Sequence, residues 1–330
     1  MIDVNEKLDK VELICLYWER GKELYNTFIK TLKSLPSTEI IVSSANLGDT
    51  VFIATLAKAY KEQHHVKNLL ICAKKRQAEA VEWFEGVDGT IPLDDTEMVC
   101  LRYYFTISRK FYENGIRYGH IPCDIEWLYP GSFFHIAPGF KGAPLITIWE
   151  ERILDLKKNS PTGEIVVSDT FIPYENEEKY KNAVLIAPAA FTNKGIPESF
   201  WEKLTTSLKE KGLEVYCNSG GLPYDQIING SQELVLGTKE LIVNAGFFKH
   251  IIAVRSGFTD LVSKTDAKMS VLHLGGTVDG PLRVEYGTRN DDVRDLGRME
   301  GIFPIQYCAE REDEIIKLLL EDVENTGESK

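Results

Sequence analysis

Residues 184 to 204, VLIAPAAFTNKGIPESFWEKL, restrict the fold of this chain more than any other stretch. An apolar run with β-branched Val184 and Ile186 stops at Pro188. A polar turn ends at Gly195, and Pro197 then opens an amphipathic helix at the position where its missing N–H costs least. The order is strand, loop, helix. Ligands of open α/β sheets bind at the carboxyl ends of the strands, where helix N-termini offer unpaired N–H groups and a positive dipole end to anions. Lys194 adds a full charge to such a loop, beside Thr192 and Asn193. The same residues also serve as turn formers and a solvated lysine, so this loop alone leaves both readings open.

The alternation runs through both halves. Apolar positions at helical spacing (Leu8, Val11, Ile14, Tyr17, Leu24, Phe28 and Leu32) predict one or two helices before the first strand, ended by Pro36. Residues 39–44 then read as a buried strand, 45–49 as a turn, 50–63 as a helix and 67–73 as the next strand. That is a βαβ unit, which requires a parallel sheet. Helices at 77–84 and 95–114 and a short strand at 90–93 are expected to follow. Residues 115–150, rich in Gly, Pro and aromatics, suit loops lining a cleft. The second half predicts strands at 184–187, 213–217, 233–236, 250–254 and 271–274, and helices at 197–211 and 239–248. A further helix after Gly257 is capped by Ser256 or Thr259, and the last helix is expected at 312–323. The polar stretch 156–182 reads as a linker, so two Rossmann-like, doubly wound α/β domains are expected, 1–160 and 180–330, facing a cleft. The last helix is allowed to pack back on the first domain.

A chain of 330 residues suits two cores of this kind. Its formal net charge of -12 argues against a general nucleic-acid binder, while leaving room for a local basic pocket for one nucleotide. Six cysteines without a CxxC pair read as reduced core residues. Charges are spread through the N-terminal stretch with no apolar signal-peptide core, and no apolar run reaches membrane-spanning length. A cytoplasmic protein with at most peripheral membrane contact is therefore expected.

Several turns carry candidate chemistry. Asp49 follows Gly48 at a strand-to-helix turn, where it serves either as the helix N-cap or as a general base. Arg255-Ser256-Gly257 follows a buried strand and precedes a helix. Gly257 permits close approach of a phosphate, Ser256 can donate, and Arg255 either grips phosphate oxygens or pairs with Asp260 in the same turn. Leu236-Gly237-Thr238 reads first as a turn with an N-cap, and Ser219 lies in the turn after the strand at 213–217. Asp94-Asp95 and Asp291-Asp292 read as caps or loop charges, and the histidines show no metal-ligand spacing. No GxGxxG, GxSxG or Walker A pattern is present, which disfavours a dinucleotide dehydrogenase.

Four segments together resemble the GT-B glycosyltransferases, in particular the heptosyltransferase-like group (glycosyltransferase family 9) acting in bacterial surface polysaccharide synthesis. They are Ser44 to Val51, Ile186 to Trp201, Leu236 to Leu241, and Ala253 to Leu261. The resemblance implies that Asp49 is the catalytic base, that Lys194 with Thr192 contacts donor phosphates, and that Leu236, Gly237, Thr238 and Ser219 lie near the nucleoside. Arg255, Ser256 and Gly257 complete the implied phosphate site. Where the group has Asp-Ser/Thr-Gly-Pro, this chain has Arg255-Ser256-Gly257-Phe258, which implies a subfamily distinct from true heptosyltransferases.

The expected activity is transfer of a sugar from a nucleotide-diphosphate donor, held by the second domain, to a glycan or lipid-linked acceptor held by the first. With lysine, arginine and helix amides on the leaving diphosphate, no metal or cofactor is required, and one in-line displacement inverts the anomeric carbon. Two rivals remain: a nucleotide-sugar epimerase of the same fold, and a non-catalytic sugar-nucleotide or glycan-binding subunit.

Overall fold

The computed structural model of the chain describes residues 10–44, 46–120, 144–167, 177–188, 190, 195–218 and 227–325. The chain divides into two compact units, Met1–Val166 and Val167–Lys330.

The first unit opens with a 25-residue helix, α1 (Lys10–Ser34), followed by β1 (Thr38–Val42), α2 (Leu47–Thr55) and α3 (Ala57–His64). Then come β2 (Asn68–Lys74), α4 (Lys75–Val81), β3 (Gly89–Leu93) and α5 (Asp95–Ser108). After β4 (Tyr112–Glu113) and β5 (Ile116–Tyr118), the short helix α6 (Leu145–Ile148) runs into a π-helical turn, Trp149–Ile153. Among the described residues the strands form one sheet in the order β3-β2-β1-β5-β4, parallel except for β4. Ile40, Ile41 and Val42 of the central strand are fully buried, as a sheet covered on both faces requires.

Three departures from the sequence reading lie here. The helix expected at 50–63 begins at Leu47, after Asn46, and is interrupted at fully buried Leu56, where no Gly or Pro marks the break. The helix expected to reach residue 114 stops at Ser108, with Arg109 in the left-handed region. Asn114 and Gly115, both at positive φ (54° and 75°), then close a two-residue hairpin between β4 and β5. Asn-Gly is the residue pair that such a turn demands. Finally, α1 crosses α5 at Gly21, where a Cβ atom would stand 2.2 Å from the carbonyl oxygen of Cys100, so only glycine admits the approach.

The second unit holds α7 (Glu177–Tyr180), β6 (Ala183–Ala187), α8 (Glu198–Glu210), β7 (Glu214–Asn218) and β8 (Gln232–Leu234). It continues with α9 (Thr238–Asn244), β9 (His250–Val254), α10 (Gly257–Val262), β10 (Met269–His273), β11 (Ile302–Gln306) and α11 (Glu312–Asn325). The described strands form an all-parallel sheet, β11-β10-β9-β6-β7-β8, the doubly wound 3-2-1-4-5-6 order. Strand β11 was not expected from the sequence. It contains Pro304, and its place at the sheet edge is where a residue without an N–H is tolerated. Ile315, Ile316, Leu319 and Val323 of α11 join the core built by Val184, Phe200 and Trp201, so the apolar face of the last helix is taken up inside its own unit.

Candidate functional site

In a doubly wound sheet the crevice for ligands opens where the strand order reverses, at the carboxyl ends of the two strands involved. In the first unit these strands are β1 and β5, and in the second β6 and β9. The described polar groups named from the sequence can be placed against these two points.

At the first point β1 and β5 run level, Val42 opposite Tyr118, and the Gly119 N–H donates to Val42 O at 2.8 Å. The residues that follow β1 are hydroxyl-rich. Ser43 Oγ lies 2.8 Å from Thr50 Oγ1, and Ser44 Oγ 2.6 Å from Tyr118 Oη. Asp49 is half-buried on the third residue of α2. Of the two roles weighed for it, the cap is seen in a modified form: Asn46 holds the N-cap position, and Asp49 closes the capping box from the third helical residue, the Asn46 N–H donating to Asp49 Oδ2 at 2.9 Å. That bond closes the capping box and fixes the carboxylate at the start of α2, beside the hydroxyls that follow β1. Tyr118 and His120, expected in loops lining a cleft, instead stand at the end of strand β5 and just after it. The His120 Nδ1 atom is buried without a hydrogen-bond partner, and burial, with help from the Arg102 charge, pulls the imidazole down to about 4. The signal for both was Asn114-Gly115, which announces a strand directly after it.

At the second point Ala187 of β6 stands opposite Ala253 of β9, so the turns after the two strands leave the sheet side by side. The turn after β6 contains Thr192 and Lys194, which lie outside the described residues, as does Ser219 after β7. Gly195, at positive φ, is described. The turn after β9 is fully described. Ser256 is the N-cap residue of α10, and its backbone N–H donates to Thr259 Oγ1 at 3.1 Å. The Ser256 hydroxyl oxygen is buried without a partner.

Arg255 takes the alternative weighed from the sequence, pairing with Asp260. Its Nη1 and Nη2 reach the two carboxylate oxygens at 3.0 and 2.8 Å, Nη1 also donates to Ser256 O, and Nε donates to Asp291 O at 2.6 Å. The side chains of Arg255 and Asp260 are only 10% and 3% exposed. Burial pushes the Asp260 carboxyl upward and the Arg255 charge pulls it back. The guanidinium thus braces the turn from within.

Leu236 and Gly237 precede α9 at the carboxyl side of edge strand β8, and the Gly237 N–H donates to Glu240 Oε2 at 2.8 Å, closing the helix start with Thr238 as its first residue.

The acidic pairs are resolved differently. Asp94 caps α5, accepting from the Glu97 N–H at 2.7 Å, as expected. Asp292, expected as a solvated cap or loop charge, does cap the 3-10 turn Val293–Leu296, but it is 1% exposed and paired with Arg294 at 2.6 Å. Burial is affordable there because the Arg294 fork satisfies both oxygens. Among the described residues no cluster of His, Cys, Asp or Glu has a geometry for a metal ion. No helix among them is long and apolar enough to cross a membrane.

Two α/β units of this kind in one chain define the architecture of the GT-B glycosyltransferases. Solved structures agree. The fold is similar to that of E. coli ADP-heptose lps heptosyltransferase II, at 12% identity and a TM-score of 0.57 over 87% of this chain and 99% of that one. It is similar to the glycosyl transferase family 9 protein from Veillonella parvula DSM 2008, at 11% identity and a TM-score of 0.56 over 88% and 96%. The iron-containing dodecameric glycosyltransferase TibC of enterotoxigenic E. coli H10407 matches at 14% identity and a TM-score of 0.50, over 88% of this chain and 74% of that one. At such identities the likeness is one of fold. No protein-family profile matches the sequence, and no curated protein matches it.

Proposed function

We propose that this chain is a glycosyltransferase that moves a sugar from a nucleotide-diphosphate donor to a glycan or lipid-linked acceptor. The observation that carries the reading is the pair of reversal points: in a fold shared with glycosyltransferases, one is lined by hydroxyls and a carboxylate and the other by an anion-compatible turn. The second unit takes the donor, with the Ser256 hydroxyl, the backbone at Gly257, Thr192 and Lys194 on the diphosphate, and Leu236, Gly237, Thr238 and Ser219 toward the nucleoside. Arg255 holds the Ser256 turn in shape. The first unit takes the acceptor, and Asp49 removes the proton from the attacking hydroxyl as the bond to the anomeric carbon forms and the bond to the leaving phosphate oxygen breaks. One such displacement inverts that carbon. Negative charge gathering on the diphosphate is met by Lys194 and backbone N–H groups, so no metal enters.

The test is a thermal-shift panel of ADP, GDP, UDP, dTDP and CMP, with and without EDTA. A ligand of the folded state raises stability by RT ln(1 + [L]/Kd), about 2.7 kcal/mol at a hundredfold excess over Kd. One diphosphate should raise the melting temperature equally with and without EDTA, and CMP should do less. A flat panel would contradict the reading, and a shift abolished by EDTA would contradict its metal independence.

A further inference from the structure

Asp291 is the most exposed member of a partly buried polar set at the carboxyl ends of β9, β10 and β11, in which the Arg289 side chain is 28% exposed. Its side chain is 38% exposed, whereas that of His273, the last residue of β10, is 0% exposed. The backbone oxygen of Asp291 is held by Arg255 Nε at 2.6 Å, which ties it to the residue that opens the Ser256 turn. Its carboxylate is held by Arg289, with Nε at 2.8 Å from Oδ1 and Nη2 at 3.3 Å from Oδ2. Arg289 is itself anchored, donating from Nη1 to Gln306 Oε1 at 2.9 Å. Gln306 in turn donates to the carbonyl oxygens of His273 and Leu274 at 3.2 and 2.9 Å. Three layers of satisfied hydrogen bonds therefore fix one carboxylate that still faces solvent.

Such support has a chemical consequence. Burial opposes ionisation of Asp291, but the His273 and Arg289 contacts overcome it and hold the carboxyl well below the ordinary range. The group is thus an acceptor only, with about four lone-pair sites, of which Arg289 occupies two. It repels phosphate and attracts hydroxyl donors. Behind it, burial pulls the His273 imidazole down, and its Nδ1 stands 3.6 Å from Asp291 Oδ2.

We propose that Asp291 recognises the donor sugar, its carboxylate accepting hydrogen bonds from sugar hydroxyls while the diphosphate lies at the neighbouring Ser256 turn. The inference rests on the donor-binding role given above to the second unit. It adds a determinant of sugar choice that neither the sequence motifs nor the fold likeness names. A carboxylate beside a diphosphate is tolerable because its partner Arg289 offsets the charge, and its preference for hydroxyls keeps the two ends of the donor in register.

The experiment is calorimetry on the full chain, with the nucleoside diphosphate that binds best and its hexose and heptose conjugates. The wild type should bind one conjugate more tightly than the bare diphosphate. Asp291→Asn should keep the diphosphate affinity and lose about tenfold or more of the sugar-dependent gain. Deoxy analogues of that sugar, titrated into the wild type, check the same contact without a substitution: removing one hydroxyl should cost the wild type as much and cost Asp291→Asn nothing further. Equal conjugate affinity in wild type and variant overturns the proposal. So does a parallel loss of diphosphate and conjugate binding, which marks a purely structural residue, or a wild type that gains nothing from any sugar. A wild type that binds no diphosphate at all overturns the donor-site reading itself.

Discussion

The two reversal points share a topology and differ in charge. Among the described residues at β1 and β5 the side chains are hydroxyls, a phenol and an imidazole beside the Asp49 carboxylate. At the second point, in the turn after β9, they are ion pairs, Arg255 with Asp260, and Arg289 with Asp291 beside it, with Arg294 and Asp292 close in sequence. The same backbone solution therefore presents hydroxyl chemistry in one unit and organised charge in the other. What separates them is the residue that follows the strand. Serines after β1 bond to neighbouring hydroxyls, whereas an arginine after β9 must find acceptors, and helix α10 with Asp260 and the loop with the Asp291 backbone oxygen supply them.

The largest effect should fall on the hydroxyl side. Asp49→Asn keeps an oxygen for the Asn46 N–H and loses basicity, so turnover should drop by roughly two to four orders of magnitude with the melting temperature nearly unchanged. Near-normal transfer by this variant would favour a binding subunit without catalysis or a base elsewhere.

On the charged side the first response should be stability. Arg255→Met leaves Asp260 buried without its partner, at a cost of about 3–5 kcal/mol in urea unfolding. Because burial already pushes Asp260 upward, protonation relieves the variant, and its deficit should be larger at pH 8 than at pH 5. A deficit independent of pH would mean that the pair is not what holds the turn.

Much of this was legible beforehand, and for physical reasons. Strand β9 was read at its full length from five consecutive apolar or buried residues, and the turn after it from Arg-Ser-Gly. Strand β5 was missed because its three residues, Ile-Arg-Tyr, carry no period of their own; the Asn114-Gly115 turn before them was the only local sign. The cluster at Asp291 was out of reach for another reason. Its partners His273, Arg289 and Gln306 come from two strands and a loop, and only the parallel register of β10 with β11 sets His273 opposite Gln306.

A moderate effect, visible in both units, concerns acid. His250, fully buried with its Nε2 on Ser270 Oγ, is pulled down to about 3 by burial, and His120 to about 4. Their unfolded values lie near 6.5, so the unfolded chain takes up protons first. Stability is complete above that pH and falls as pH drops toward the folded values. Each should contribute about 2 kcal/mol of loss between pH 7 and pH 5. His250→Gln should flatten this slope for the second unit and His120→Gln for the first, and an unchanged slope in either variant would remove that histidine from the account.

The smallest expected effect has the opposite sign. Burial raises Asp295 to about 6, so its contribution is favourable only at low pH and is lost as pH rises through 6. Asp295→Asn should stabilise the chain at pH 7.5 by about 1 kcal/mol, after allowance for the residue's partial exposure, and do little at pH 4. Destabilisation at pH 7.5 would reverse the assignment.

The most direct test of the division between the units is hydrogen exchange with and without the best-binding nucleoside diphosphate. Protection should rise in the turns after β6 and β9 and remain unchanged after β1 and β5. Protection confined to the first unit, or none in the turn at Ser256 and Gly257 under saturating nucleotide, would contradict the assignment of the donor to the charged side.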